Sequence, residues 1–225
     1  MNIFGKIENI IAKIQIEILL IIVFILGAIG HTIPITKDIF ILFTPLILLL
    51  SAIFLIIRLK IHPTIIAIII MIAVLGYVLE VIGVSTGYPF GEYKYGNILG
   101  YKILDVPLVI ALNWAMVITS SYIFTQQFII KINKNFLLIT PLLTALVATI
   151  FDYIMEPVAI YLNYWRWADI KVPTENYITW FVFSFISSVF IYITTKGSIF
   201  RNHKAALSYL IAQLIFFTIL NIYIL

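Results

Sequence analysis

Of the 225 residues in the chain, 63% are hydrophobic and 11% are charged, against about a quarter charged in an ordinary soluble domain; the mean hydropathy is +1.14. That composition excludes a soluble globular domain and marks an integral membrane protein, read as a single helical domain over 1–225. The net charge of +4 is spread over short loops and gives no clustered basic face for nucleic acid. Without cysteine, disulfides, thiolate nucleophiles and Cys-based metal sites are excluded as well.

Residues 1–13 mix Lys6, Glu8 and Lys13 with isoleucines and read as an interfacial helix. No small-residue cleavage site follows the apolar run, so no signal peptide is read there. A membrane-spanning helix needs about 20 apolar residues, and the sequence supplies seven such runs, near 14–33, 39–59, 64–86, 104–127, 136–161, 176–196 and 204–224. Pro34, the basic turns at 58–63 and 131–135, and Gly197 with Arg201 mark breaks between them. The fold class predicted is an all-α bundle of about seven transmembrane helices.

Seven spans put Lys6, Lys13, Arg58, Lys60, Lys131, Lys134, Lys196, Arg201 and Lys204 on one side, and Lys37, Lys94, Lys102, Arg166 and Lys171 on the other. The excess of Lys and Arg faces the cytoplasm. The reading is a multi-pass protein of the cytoplasmic membrane, with the N-terminus cytoplasmic and the C-terminus outside. Two connections on the outer side stand apart. One runs from Gly87 through Tyr88, Phe90, Tyr93 and Tyr95 to Asp105 and Pro107; the other runs from Tyr161 through Trp165, Arg166 and Trp167 toward Trp180. Gly and Pro make the first a turn-rich loop able to fold back over the bundle. An interfacial aromatic belt accounts equally for any single Tyr or Trp, but less well for their concentration in two loops.

Glu80, Asp152 and Glu156 lie inside otherwise apolar spans. Ionisable groups at membrane depth are costly and mark functional sites by default. At a rise of 1.5 Å per residue, Glu80 lies roughly 9 Å, Glu156 roughly 7 Å, and Asp152 and Asn113 each roughly 13 Å below the outer span ends. Asp152 and Glu156, four apart, share a helix face with Ala145 and Ala148. Glu80 shares its face with Gly76 and Gly83, where another helix can approach closely. Two carboxylates so close in a low-dielectric setting do not both ionise readily, and a protonated acid beside a carboxylate is equipment for acid–base chemistry. The competing reading pairs these acids with Arg166, Lys102 or backbone groups to hold helices together. Asp105, ahead of Pro107, reads more simply as a helix N-cap. His31, His62 and His203 sit at span ends without metal-ligand spacing, so no metal is expected. With no Lys in the last span, a retinal Schiff base is excluded.

The segment from Glu80 through 87–96 to Asp105, Pro107, Asn113 and Trp114, together with Asp152, Glu156–Pro157, Trp165–Trp167, Asn176 and Trp180, resembles the membrane carotenoid-biosynthesis family that includes the CruF-type carotenoid hydratases. The likeness covers roughly 70–185. It implies a hydro-lyase of the carotenoid 1,2-hydratase type, adding water to the terminal C1=C2 double bond of an acyclic isoprenoid chain. Protonation at C2 leaves a tertiary cation at C1, which aromatic faces can stabilise by up to about 2 kcal/mol each when desolvated. On this reading Asp152 is the general acid, and Glu80 or Glu156 activates the water. Tyr88, Phe90, Tyr93, Tyr95, Asn113, Trp114, Trp165, Trp167 and Trp180 contact substrate. No cofactor is expected. The partners are a lipophilic isoprenoid, the bilayer and other carotenoid-pathway enzymes, with no nucleic acid. Two alternatives stay open: a cyclase or isomerase beginning with the same protonation, and a proton-coupled or cation-binding transporter in which the three acids relay charge.

Overall fold

The computed structural model describes residues 16–59, 63–132, 138–169, 171–195 and 203–225. The interfacial helix read over 1–13 lies outside them. Seven helices appear among the described residues: α1 (Ile16–Thr32), α2 (Pro34–Leu59), α3 (Pro63–Thr86), α4 (Leu108–Ile132), α5 (Ile139–Tyr161), α6 (Thr174–Thr195) and α7 (His203–Ile224). Six of them, all but α1, are long and apolar enough to cross a membrane. The chain is an all-α integral membrane bundle. Its short strands, β1 (Tyr93–Tyr95), β2 (Lys102–Ile103), β3 (Val106–Pro107) and β4 (Trp165–Trp167), occur in the connections at one end.

Proline sets two of the helix starts. Pro34 and Pro63 each occupy a first helical position, where the missing N–H has no intrahelical acceptor to lose and φ is already fixed. The fourth helix begins at Leu108, four residues later than the sequence predicts. Residues 102–107 fold instead into a β2–β3 hairpin, Lys102 opposite Pro107 and Ile103 opposite Val106. Its two turn residues, Leu104 and Asp105, both have positive φ, 49° and 63°, the conformation a tight two-residue hairpin turn requires. Asp105 is therefore an exposed turn residue and not the expected N-cap. The hairpin is tied to the bundle by the Tyr77 hydroxyl, which donates to the Ile103 carbonyl.

Helix α4 is the central one, packed against α2, α3, α5, α6 and α7. Its middle carries buried Thr119, Ser120, Ser121, Tyr122 and Thr125. Small and hydroxylated side chains let helices approach and bond across the interface; Thr125 and Thr144 of α5 share a hydrogen bond of 2.9 Å. On α5, Ala145, Ala148, Asp152, Met155, Glu156 and Ala159 are buried, while Leu142, Leu146, Ile150 and Tyr153 are exposed. The acids therefore share the face that enters the bundle.

Candidate active site

The two aromatic connections meet as a lid. β1 and β4 pair antiparallel, with Tyr93 opposite Trp167, Lys94 opposite Arg166 and Tyr95 opposite Trp165. Strand side chains alternate between faces. Tyr93, Tyr95, Trp165 and Trp167 consequently turn inward, while Lys94 and Arg166 are exposed. The ribbon is held down at α3 by an absent side chain: a Cβ on Gly83 would lie 2.5 Å from Phe90 and 2.9 Å from the Tyr93 hydroxyl. The close approach expected along this face is thus made at Gly83 by the lid, and at Gly76 by Phe183 of α6.

Under the lid, Glu80, Asp152 and Glu156 are 3%, 1% and 2% exposed and line one pocket with Phe90, Tyr93, Tyr95, Trp114, Met155, Trp165, Trp167, Asn176 and Trp180. Glu80 Oε2 accepts a short hydrogen bond from the Tyr93 hydroxyl. Glu156 Oε2 accepts from both indoles, Trp165 Nε1 and Trp167 Nε1, each at 3.0 Å. The Asn176 amide donates to Asp152 Oδ2 at 2.9 Å and to Glu156 Oε1 at 3.3 Å. Three N–H groups, none able to accept a proton, therefore converge on Glu156, whereas Asn176 is the one donor to Asp152 among the described residues. Burial first, then the Glu80 carboxylate, push the Tyr93 and Tyr95 phenols well up from their ordinary value. Both hydroxyls stay protonated and act as donors. Trp114 and Trp180 stack at 3.7 Å with planes 14° apart, and Phe90 lies 5.3 Å from Trp180.

The pocket is small, about 20 Å³; a cavity of roughly 10–15 Å³ or more admits one water. Beside it, across Met155 and Trp165, lies an apolar chamber of about 320 Å³ between α1, α2, α4, α5 and α7. Above the lid an open polar groove, bordered by Ser85, Glu92, Lys94 and Arg166, shares Tyr93, Tyr95 and Trp167 with the acid pocket.

Of the residues predicted from sequence, the three acids and Phe90, Tyr93, Tyr95, Trp114, Trp165, Trp167 and Trp180 meet in one pocket. Two do not. Tyr88 is 76% exposed and points away. Asn113 lies about 7 Å into α4, close to the level of the acids, but it faces the neighbouring chamber; its Oδ1 accepts from Tyr209 at 3.0 Å and from Gln213 at 3.1 Å. The next residue, Trp114, is the one turned toward the acids, because successive helical residues point about a quarter-turn apart. The competing reading, in which the acids pair with Arg166 or Lys102, finds no such pair among the described residues. Arg166 donates to Asn163 Oδ1, and Lys102 to the Tyr95 carbonyl and Asn97. Asn176, the bridge between two acids, was missed as a site residue; its position one turn before Trp180 was the available signal.

Over 110 residues, 46% of this chain, the sequence is 28% identical to the bisanhydrobacterioruberin hydratase of Haloarcula japonica. The matched stretch spans 36% of that protein, well under two thirds of its length. No solved structure matches. Residues 37–225, most of the chain, match the family described as carotenoid biosynthesis protein, and the chain belongs to that family.

Proposed function

We propose that the chain is a hydro-lyase of carotenoid biosynthesis, adding water across the terminal C1=C2 double bond of an acyclic carotenoid or related polyprenyl chain. The observation that carries this reading is the meeting of three buried carboxyls with aromatic walls around a water-sized pocket. Family membership and the distant hydratase relative support it. Asp152 gives its proton to C2 as the C1=C2 π electrons form the new C–H bond. The tertiary cation left at C1 lies against aromatic faces of the pocket wall, among them Trp165 and the Trp114–Trp180 stack. Water attacks C1, and its surplus proton passes to Glu156 or Glu80, then back to Asp152, which closes the cycle. The flexible Met155 side chain, at the boundary with the chamber, moves aside to admit the reacting end.

The acid pocket lies at the end of the bundle that the Lys and Arg distribution assigns to the outside of the cytoplasmic membrane. The test is expression in a host that accumulates an acyclic carotenoid, followed by mass analysis of the pigments. A gain of one water per reacted end is expected from the wild type and is lost in Asp152→Asn at equal membrane levels. A cyclised or isomerised pigment of unchanged mass would replace the reading with its nearest neighbour. No pigment change, together with proton-driven uptake in proteoliposomes, would replace it with transport.

A further inference from the structure

Hydration consumes a water, and the acid pocket, at about 20 Å³, has room for little more than the one it spends. Each turnover therefore needs a way in for the next. Two spaces adjoin the pocket. The chamber beyond Met155 and Trp165 is walled by hydrocarbon and offers a passing water almost nothing to bond. The groove over the lid, about 670 Å³, is open and bordered by Ser85, Glu92, Lys94 and Arg166, a lining that suits water. It shares Tyr93, Tyr95 and Trp167 with the pocket. A single layer of side chains divides this polar space from the acids.

The three dividing residues are held differently. Tyr93 is buried, packed over Gly83 with its hydroxyl on Glu80, so it stays in place. Tyr95 and Trp167 are half-buried. Of these two, Trp167 is the one that reaches Glu156: its Nε1 donates to Oε2 at 3.0 Å while its ring lines the groove. That oxygen has a second donor, the buried indole of Trp165, also at 3.0 Å, and Asn176 holds Oε1. When the Trp167 N–H withdraws, the carboxylate keeps two donors and gains one free acceptor position. A water that follows fills it by donating an O–H to Oε2, the hydrogen bond along which a general base draws a proton.

We infer that the water consumed in hydration enters from the groove over the lid, and that the Trp167 indole is its gate, yielding its place on Glu156 Oε2 to the incoming water. This rests on the hydratase reading and deepens it. Glu156 rather than Glu80 then receives the water and takes its surplus proton, and Trp167 is a positioning residue that acts through Glu156. The two substrates arrive by separate doors, the hydrocarbon past Met155 and the water past Trp167.

Access is measured apart from catalysis. The chain has no cysteine, so Asp152→Cys puts a single thiol in the pocket, and Ser85→Cys, in the groove, marks the membrane face that carries the lid. Full-length protein in sealed vesicles of either orientation is exposed to silver ion, which travels with water and caps thiols. The thiols left are counted by alkylation after denaturation. Ser85→Cys is expected to be capped from one face, and Asp152→Cys from that same face, more slowly. Adding Trp167→Phe, which removes the N–H and keeps a ring, should speed capping in Asp152→Cys about tenfold or more, the worth of one hydrogen bond to a charged group. Tyr95→Phe should leave that rate unchanged. Asn176→Cys repeats the measurement from a second pocket position if Asp152→Cys fails to accumulate. Capping from neither face, or only from the opposite one, would overturn the proposal; the latter would send water along Ser121 and Ser184, buried hydroxyls of α4 and α6 without a partner among the described residues. A rate indifferent to Trp167→Phe, or raised equally by Tyr95→Phe, would overturn the gate. The expected pattern in a protein that hydrates no pigment would defeat the hydratase reading and leave the water route standing.

Discussion

The acid pocket and the apolar chamber lie at the same level of one bundle and share Met155 and Trp165 as a wall, yet they are built on opposite principles. The pocket, at about 20 Å³, is bounded by hydrogen bonds: the Trp165 and Trp167 indoles, the Asn176 amide and the Tyr93 phenol all donate to its carboxylates. The chamber, at about 320 Å³, is closed by rings and aliphatic chains, with few polar atoms. Water and hydrocarbon mix poorly, so an enzyme that joins them gains by keeping each in its own compartment until they meet. The difference teaches where to look for reaction and where to look for selectivity.

Substitutions in the pocket should be felt first in chemistry. Asp152→Asn keeps shape and the Asn176 contact but removes the transferable proton. Hydration is expected to fall at least about 100-fold, the low end for general acid catalysis, at unchanged membrane levels; pigment analysis with immunoblotting measures both. Glu156→Gln has the next largest effect. Its amide cannot satisfy three converging N–H donors, so the β1–β4 ribbon loosens. Activity is expected to drop about tenfold or more, and trypsin should cut faster at exposed Lys94 and Arg166, the drop in activity being about what one lost charge-assisted hydrogen bond costs. Gly83→Ala tests the seat of the lid without touching an acid. The added methyl meets Phe90 at 2.5 Å, and overpacking of this kind costs about 1–3 kcal/mol, read as a lower thermal midpoint. The smallest effect is expected from Lys94→Ala. Lys94 stands opposite Arg166 on the outer face of the ribbon, so its loss should change stability by no more than about 0.5 kcal/mol. A large loss there would mean that the lid is held from outside and would erase the contrast between the two compartments.

What the sequence revealed and what it hid follow from the range of each interaction. The depths of Glu80, Asp152 and Glu156 depend on counting back along one helix at a fixed rise, and the helix ends they were counted from, Thr86 and Tyr161, are the ones found; of the seven spans read, six are long and apolar enough to cross a membrane. The shared face of Asp152 and Glu156 is likewise local, fixed by a spacing of four. Facing between helices is not local. Asn113 is shallower than the sequence predicts, because its helix starts later, and it faces the other side, since Tyr209 and Gln213, about a hundred residues away, determine what it meets. The lid needs Tyr93 to find Trp167, a pairing no window of sequence contains, so two aromatic loops were legible but their ribbon was not. Leu104 and Asp105 form a hairpin turn without the glycine that usually announces one, which hid the β2–β3 hairpin behind a helix start. The chamber was invisible for a related reason: a void of this size is a property of five helices together.

The most direct measurement of the central claim is isotopic. Purified protein is given an acyclic carotenoid in water enriched in both deuterium and heavy oxygen, and the product is read by mass spectrometry and NMR. The account predicts one deuterium at C2 and one heavy oxygen at C1, with both labels absent when Asp152→Asn is used. Unlabelled, unhydrated carotenoid recovered from folded wild-type protein, or full labelling by Asp152→Asn, would contradict it.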